Sequence, residues 1–286
     1  MNGIDISRYQ KGINLAAVPC DFVIVKASKG ASNSVYPTFK EQITQADQLG
    51  KKLGVYHYAS TGGAIAEAEK FLKTVKDYIG KAILCLDWEG DQNPNFGNPQ
   101  YALTWLNYVE QKTGIKPFLY MSKSVARQYA KVWDPSFPFW CAQYANYQYT
   151  AYKTDPWTDN LGFGPWKDCK IFQYSSRGRL PGYNNNLDLD LAYMSINEWD
   201  NYAAGKIKSD PKPDPTKYPT LRKGDVNEYV RHWQIFLNKN GYCCGNTDSI
   251  FGQKTEKAVI KWQKDHPICG KPDGIIGPKT WASILN

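Results

Sequence analysis

Ala82-Ile-Leu-Cys-Leu-Asp-Trp-Glu89 is the stretch that decides the fold of this chain. An apolar run this short, closed by two acids, reads as a buried strand rather than a helix. In a strand, residues i and i+2 share a face, so Asp87 and Glu89 project together from one strand end. Burying two acids costs free energy unless they are paired or used. The pair therefore suits acid/base work on a sugar bond, where two carboxyl groups flank the bond to be cut.

Working outward, seven more stretches read as strands: Gly3–Ser7, Phe22–Ser28, Leu53–Tyr58, Pro117–Ser122, Pro138–Tyr144, Lys170–Ser175 and Asn186–Asp190. Between the early ones, Phe39, Ile43, Ala46 and Leu49 recur at helical spacing before Gly50, and Ala64–Tyr78 and Tyr101–Thr113 also read as helices. Strands alternating with helices predict a parallel sheet, and eight strands predict a closed barrel. Residues 145–169 hold Pro, Gly, Asp and Trp without helical spacing, so the late crossovers read as loops. The expected fold is α/β: an irregular (β/α)8-like barrel with helices missing in its last third. Such barrels carry their sites at the C-terminal strand ends. Asp87 and Glu89 at the end of strand four, Asp5 in strand one, and Asp188 with Asp190 in strand eight can then converge, since strand eight adjoins strand one on closure.

Residues 203–218 are rich in Pro, Lys and Asp without an apolar period, and read as a linker between a domain at 1–202 and another at 219–286. The last segment holds an internal echo: Asp248-Ser-Ile-Phe-Gly-Gln-Lys-Thr255 against Asp273-Gly-Ile-Ile-Gly-Pro-Lys-Thr280. Each copy is a turn leading into a helix. Upstream, Val226, Val230, Trp233 and Leu237 mark another helix, with Asp225 and Glu228 as a capping-box-like start. A small three-helix domain is expected, with Trp233, Trp262 and Trp281 at core spacing.

The 286 residues suit one large domain and one small one. The chain carries 10 Trp and 20 Tyr, whose flat faces stack on sugar rings as readily as they fill cores. Net charge is +8. Residues 1–205 contribute +2 and residues 206–286 contribute +6, so the basic excess lies in the tail. That asymmetry points to an anionic partner. There is no Arg-rich run and no nucleic-acid motif, which favours an acidic wall polymer over nucleic acid. The seven cysteines are scattered, with no CxxC, and read mostly as buried free thiols. A disulfide from Cys243 or Cys244 to Cys269 stays open, and no ligand spacing supports a zinc site from Cys243, Cys269, His232 and His266. No metal or other cofactor is expected. The start Met-Asn-Gly-Ile-Asp has no basic n-region or apolar h-region, and no apolar stretch is long enough to span a membrane. The expectation is synthesis in the cytosol, with any action outside it needing another exit route.

Seven blocks in order give the first domain a family resemblance. Gly3-Ile-Asp-Ile-Ser-Arg-Tyr-Gln10, Phe22-Val-Ile-Val-Lys-Ala-Ser28, Gly54-Val-Tyr-His-Tyr58, Leu86-Asp-Trp-Glu89, Phe139-Trp-Cys-Ala-Gln-Tyr144, Phe172-Gln-Tyr174 and Asn186-Leu-Asp-Leu-Asp190 resemble glycoside hydrolase family 25, the Chalaropsis-type N-acetylmuramidases, over about residues 1–198. Leu221-Arg-Lys-Gly-Asp225 and the two echoed turns resemble the type 1 peptidoglycan-binding domain over about 219–286, with Asn227 near the place of that family's second glycine. The resemblance implies a lysozyme cutting the β-1,4 bond between N-acetylmuramic acid and N-acetylglucosamine. The pairing with a wall-binding module resembles a bacteriophage endolysin; a bacterial autolysin has the same activity.

By that resemblance Glu89 is the general acid, and Asp87 orients the substrate acetamido group or stabilises developing positive charge. Asp5 and Asp188 complete the acid set, Asp188 being preferred to Asp190 because the family pattern puts the functional acid first. Lys26, Tyr58, Tyr120 and Gln143 match positions that line the cleft. Trp88 alternates away from the acids and reads as core. A chitinase-like site would place further aspartates where Cys85 and Ala82 stand. A barrel that only binds walls would not need the intact acid set. A cysteine amidase would need Cys141 beside His57.

Overall fold

The computed structural model describes residues 1–31, 36–207 and 215–285. The chain divides into two compact units, Met1–Ile207 and Lys208–Asn286.

The first unit is a closed barrel of eight strands in sequential order. They are β1 (Asn2–Ile6), β2 (Phe22–Lys29), β3 (Lys52–Tyr58), β4 (Ala82–Asp87), β5 (Phe118–Ser122), β6 (Phe139–Ala142), β7 (Ile171–Leu180) and β8 (Tyr183–Ala192). Helices α1 (Phe39–Gln48), α2 (Ala64–Val75), α3 (Pro99–Thr113) and the short α4 (Lys123–Gln128) fill the early crossovers. No helix lies between β6 and β7. α2 buries Ala64, Ala68, Phe71 and Val75, one helical stripe laid on the barrel.

One expectation fails. β1 through β7 pair in parallel, but β8 is antiparallel to both β7 and β1. The cause is local. β7 and β8 run on past the predicted strands until Leu180 faces Tyr183, leaving only Pro181-Gly182 as the turn. A two-residue turn can join only antiparallel strands. Gly182 has φ +86°, and a Cβ there would stand 2.2 Å from the Ala17 carbonyl oxygen.

The pleat sorts the side chains of β4. Ala82, Leu84, Leu86 and Trp88 face outward into the layer packed under the helices, and Ile83 and Cys85 face into the barrel. Asp87 continues the inward row. Phe22, Ile24, Phe118 and Ile171 fill the barrel's lower layers. At its foot, α5 (Ile196–Ala203) begins with a Ser195/Glu198 capping box. It seats Trp199 against Phe22 at 4.7 Å between ring centroids. The barrel is thus apolar below and acidic above.

In the second unit, α6 (Glu228–Lys239), α7 (Gln253–Asp265) and α8 (Pro278–Leu285) enclose Leu221, Trp233, Phe251, Val259, Trp262 and Trp281. The three tryptophans are core, as their spacing predicts. The cap of α6 is Asn227, whose side chain accepts from the Val230 N–H; Asp225 instead accepts from Arg222 N. The helix starts at Glu228, so the residue positioned to cap it is its immediate predecessor.

The sequence echo has a structural counterpart. Gln234 Nε2 donates to Asp248 Oδ1, the Ile250 carbonyl and Thr255 Oγ1, while its Oε1 accepts from Ser249 N. Gln263 repeats the set on Asp273, the Ile275 carbonyl, Thr280 and Gly274 N. Both glutamines are buried. α7 therefore ends one repeat and begins the next.

Of the linker expected at 203–218, residues 208–214 lie outside the described residues. Ala203 ends α5, Pro215–Lys217 form a single 3-10 turn, and Tyr218 stacks on Trp281 at 4.7 Å. All seven cysteines are free, Cys243 exposed and the other six buried; the open disulfide to Cys269 is not formed. Among the described residues no helix is long and apolar enough to cross a membrane.

Candidate active site

A cavity of about 350 Å³ opens at the C-terminal end of the parallel strands. It is lined by Asp5, Lys26, Tyr58, Asp87, Glu89, Tyr120 and Asp188, seven of the eight residues singled out in the sequence. Each arrives for a reason in the fold. Asp87 ends the inward row of β4, and Trp88 N still bonds the Tyr120 carbonyl at 2.9 Å, so Glu89 leaves the sheet just beyond it on the same face. Asp5 and Asp188 are register partners across β1 and β8. Because β8 is antiparallel, the earlier of its two inward acids is nearer the mouth. Asp188 lines the cavity, while Asp190 lies beneath it, fully buried, with Trp140 Nε1 donating to its Oδ1 at 2.8 Å.

Gln143 is the exception. Trp140 and Ala142 face into the barrel, and Tyr144 lines the cavity. Gln143 has the opposite parity. It donates to Asp159 Oδ2 at 2.7 Å and accepts from Thr158 Oγ1 at 2.7 Å, tying down the loop between β6 and β7. Gln173 on β7 occupies the cavity instead. Its Nε2 donates to Asp5 Oδ2 at 2.6 Å, and its Oε1 accepts from the Tyr120 hydroxyl at 2.8 Å and from that of Tyr144. Sequence reasoning missed Gln173 and Tyr144. The available signal was a polar residue inside the apolar run Ile171-Phe172-Gln173-Tyr174.

The electrostatics follow from crowding acids in a partly closed space. Burial is the largest cause of the upward shift in every one of them. Asp5 is pushed up from 3.8 to about 6, held back mainly by its bond from Gln173. Asp87 is raised well above its ordinary range by burial and then by Glu89, and among the described residues its Oδ1 has no hydrogen-bond partner. Asp188 and Asp190 are raised by burial and then by Asp5. Glu89 is raised by burial, against the opposing pull of Lys26 and the nearby Tyr120 hydroxyl. Like charges this close cannot all ionise, so the cluster retains protons where isolated carboxylic acids have lost them. Lys26 is the internal cation. Its ammonium stands 4.1 Å from the Tyr58 ring centroid and 5.2 Å from that of Tyr36, a cage that keeps it over aromatic faces.

His57 and Cys141 are not brought together. His57 is fully buried outside the barrel, with Nδ1 2.8 Å from Ser28 Oγ and Nε2 2.8 Å from Glu67 Oε2. This Ser-His-Glu row has the order of a hydrolytic triad but no access to a cavity. Its effect is to brace β2, β3 and α2, since Glu67 also accepts from Ser60 N just past β3. Among the described residues no group of three or more His, Cys, Asp or Glu is placed to hold a metal ion.

Comparison with known proteins agrees with this geometry. The model of glycosyl hydrolases family 25 matches residues 4–183, and that of a peptidoglycan binding domain matches residues 226–284. The chain is 27% identical over 221 residues to the uncharacterized protein YegX of Escherichia coli K12, covering 74% of this chain and 76% of that one. It is 25% identical over 267 residues to an autolytic lysozyme of Clostridium acetobutylicum, covering 92% of this chain and 72% of the relative. The barrel superposes on the catalytic domain of an endolysin from bacteriophage P40 of Listeria monocytogenes with a TM-score of 0.56 at 22% identity, over 71% of this chain and 97% of that one. With an acid-lined barrel of this topology and a family match over most of its length, the chain belongs to glycosyl hydrolases family 25, a glycoside hydrolase of the lysozyme and muramidase kind joined to a peptidoglycan binding domain.

Proposed function

We propose that the enzyme hydrolyses the β-1,4 bond between N-acetylmuramic acid and N-acetylglucosamine in peptidoglycan, with Glu89 as general acid. The observation that carries this assignment is the placement of Glu89. It stands at the mouth end of the acid row, partly exposed to the cavity, with its carboxyl raised by burial. A general acid must hold a proton at working pH and reach the leaving oxygen. Asp87 and Asp5 are raised as well, but are only 6% and 7% exposed.

In this reading Glu89 gives its proton to the glycosidic oxygen as the C1–O bond breaks. The positive charge left on the sugar ring is met by the ionised members of Asp5, Asp87 and Asp188, with Lys26 favouring ionisation of the acids it faces. Asp87, whose Oδ1 has no partner among the described residues, is positioned to orient the substrate acetamido group. Water then supplies hydroxide to C1 and returns a proton to Glu89. Tyr58 and Tyr120 line the sugar-binding walls. Residues 219–286 hold the enzyme on the wall.

The physiological setting we favour is that of an endolysin, released from the cytoplasm to cut the wall. The likeness to the Listeria phage endolysin domain supports the barrel in that role. The match to an autolytic lysozyme over 92% of this chain supports a bacterial autolysin as the second reading. Cytosolic expression should be harmless until the inner membrane is permeabilised; clearing without permeabilisation contradicts the endolysin setting.

Mass spectrometry of digested peptidoglycan tests the reaction. New reducing ends are expected on muramic acid, and reducing ends on glucosamine would overturn the assignment. Glu89→Gln should lower the rate of turbidity clearing by at least about 10²-fold while wall binding persists. Unchanged clearing by that variant would refute the acid role.

A further inference from the structure

We propose that a groove beside the acid cavity is a second subsite, which takes peptide-substituted sugar by binding a free carboxylate of its peptide through Arg179. This rests on the muramidase reading and adds a preference that the acid cluster alone does not supply.

The groove has a volume of about 530 Å³, and its walls include Tyr9, Tyr149, Ser176, Arg179, Asn185 and Asn186. It shares Tyr9 and Asp188 with the acid cavity, so a polymer leaving the cavity on this side enters it directly. Its chemistry is that of a sugar site: amides and hydroxyls below, aromatic faces at the sides. Tyr9 is 75% exposed and Tyr149 61% exposed, so neither ring serves the core.

Each of these rings carries a guanidinium. Arg179 Cζ lies 4.1 Å from the Tyr149 centroid, and Arg8 Cζ lies 5.2 Å from that of Tyr9. Arg179 Nη1 is steadied by neutral acceptors, the Gly178 carbonyl at 3.2 Å and Asn186 Oδ1. Among the described residues no carboxylate pairs with Arg8, Arg177 or Arg179. The platform is also fixed in place. Thr150 bridges to Gly178, its N–H bonds the Arg177 carbonyl at 3.3 Å, and Arg179 N bonds the Thr150 carbonyl at 2.8 Å. A stacked, positioned guanidinium without an anion is prepared for a carboxylate, which its planar fork binds at two points. With the lactyl carboxyl of muramic acid tied up in its peptide amide, the free carboxylates of the substrate lie on that peptide, and they would use that charge.

The test compares kcat/KM on soluble peptide-bearing glycan chains with kcat/KM on the same chains after the peptide carboxylates have been converted to carboxamides. The wild-type enzyme is expected to prefer chains whose peptide carboxylates are free. In Arg179→Gln, and more so in Arg177→Gln/Arg179→Gln, that preference should fall about tenfold, through KM rather than kcat. Arg179→Lys keeps the charge but not the planar fork and should fall between wild type and Arg179→Gln, which separates charge from loss of the hairpin. No preference in the wild type, an equal ratio in wild type and Gln variants, or a weaker preference in the Lys variant than in Arg179→Gln overturns the subsite. Failure of the wild type to cut either chain set, or glucosamine at the new reducing ends, overturns the muramidase reading instead, and the subsite with it.

Discussion

Replacing Asp5 by Asn should make the barrel more stable at neutral pH and leave it unchanged at about pH 3. Asp5 is nearly fully buried, and its carboxyl is pushed from 3.8 to about 6, chiefly by burial. A raised value means that the folded state holds the proton more tightly than the unfolded chain. Below the unfolded value both states are protonated and there is no penalty. As pH rises from 3.8 to about 6 the unfolded chain releases its proton first, and stability falls. Above that window the cost is complete. A shift of about two units corresponds to about 3 kcal/mol. Asn carries no charge to desolvate, and its carbonyl oxygen can still accept the bond from Gln173. The stability gain should therefore be near zero at about pH 3 and approach about 3 kcal/mol at about pH 8. For a domain of this size, that is a rise in melting temperature of up to roughly 10 °C. Urea unfolding of both proteins across this pH range, followed by tryptophan fluorescence, measures the difference directly. A gain that does not vary with pH, or a loss growing toward pH 8, would refute the argument that charge burial dominates at this site. Activity should fall in the same variant, since the strain being relieved belongs to the acid cluster.

Gln173→Leu removes the main group holding Asp5 down and strands the hydroxyls of Tyr120 and Tyr144. The acidic limb of the pH–rate profile should move upward, and unfolding should cost about 1–3 kcal/mol less. In the second unit, Gln234→Ala and Gln263→Ala should each weaken it by about 2–3 kcal/mol, because each empties an equivalent set of buried bonds; denaturation of the full chain with wall pull-down reads both. Wall binding by residues 206–286, whose net charge is +6, should weaken as salt shortens the screening length. Salt-independent binding would show that the charge is incidental.

The strands were legible because buried parallel strands read as apolar runs with little alternation, and a barrel needs only their number and order. The acids were legible for the converse reason: Asp5, Asp87 and Asp188 are anomalous in such runs, and a charge in an apolar strand demands a use. The direction of β8 was not legible, since residues 176–185 are polar and read as a connection, whereas they extend β7 and β8 as a hairpin to one two-residue turn. Gln143 was placed by likeness of position, yet pleat parity beyond Ala142 sends it outward; the same parity rule brings in Tyr144. Gln173 went unseen because an uncharged amide carries no pKa signature of its own. Its importance lies in three partners from three strands and loops, and only the tertiary structure lists them together. The echoed aspartates Asp248 and Asp273 were legible as turn residues; what the sequence did not show is that their carboxylates accept from Gln234 and Gln263.

The reversed last strand also sets a schedule. Asp5 is made almost first and Asp188 almost last, yet they face one another across β1 and β8. Until β8 inserts, β1 and β7 both present open edges, and the cleft lacks one wall. On the proposed acid set, a nascent or prematurely ended chain has no partial activity to display: hydrolytic capacity appears only when β8 closes the barrel, after nearly the whole of it has left the ribosome. Cutting the backbone at Pro181-Gly182 would place that step under the control of whether two fragments meet.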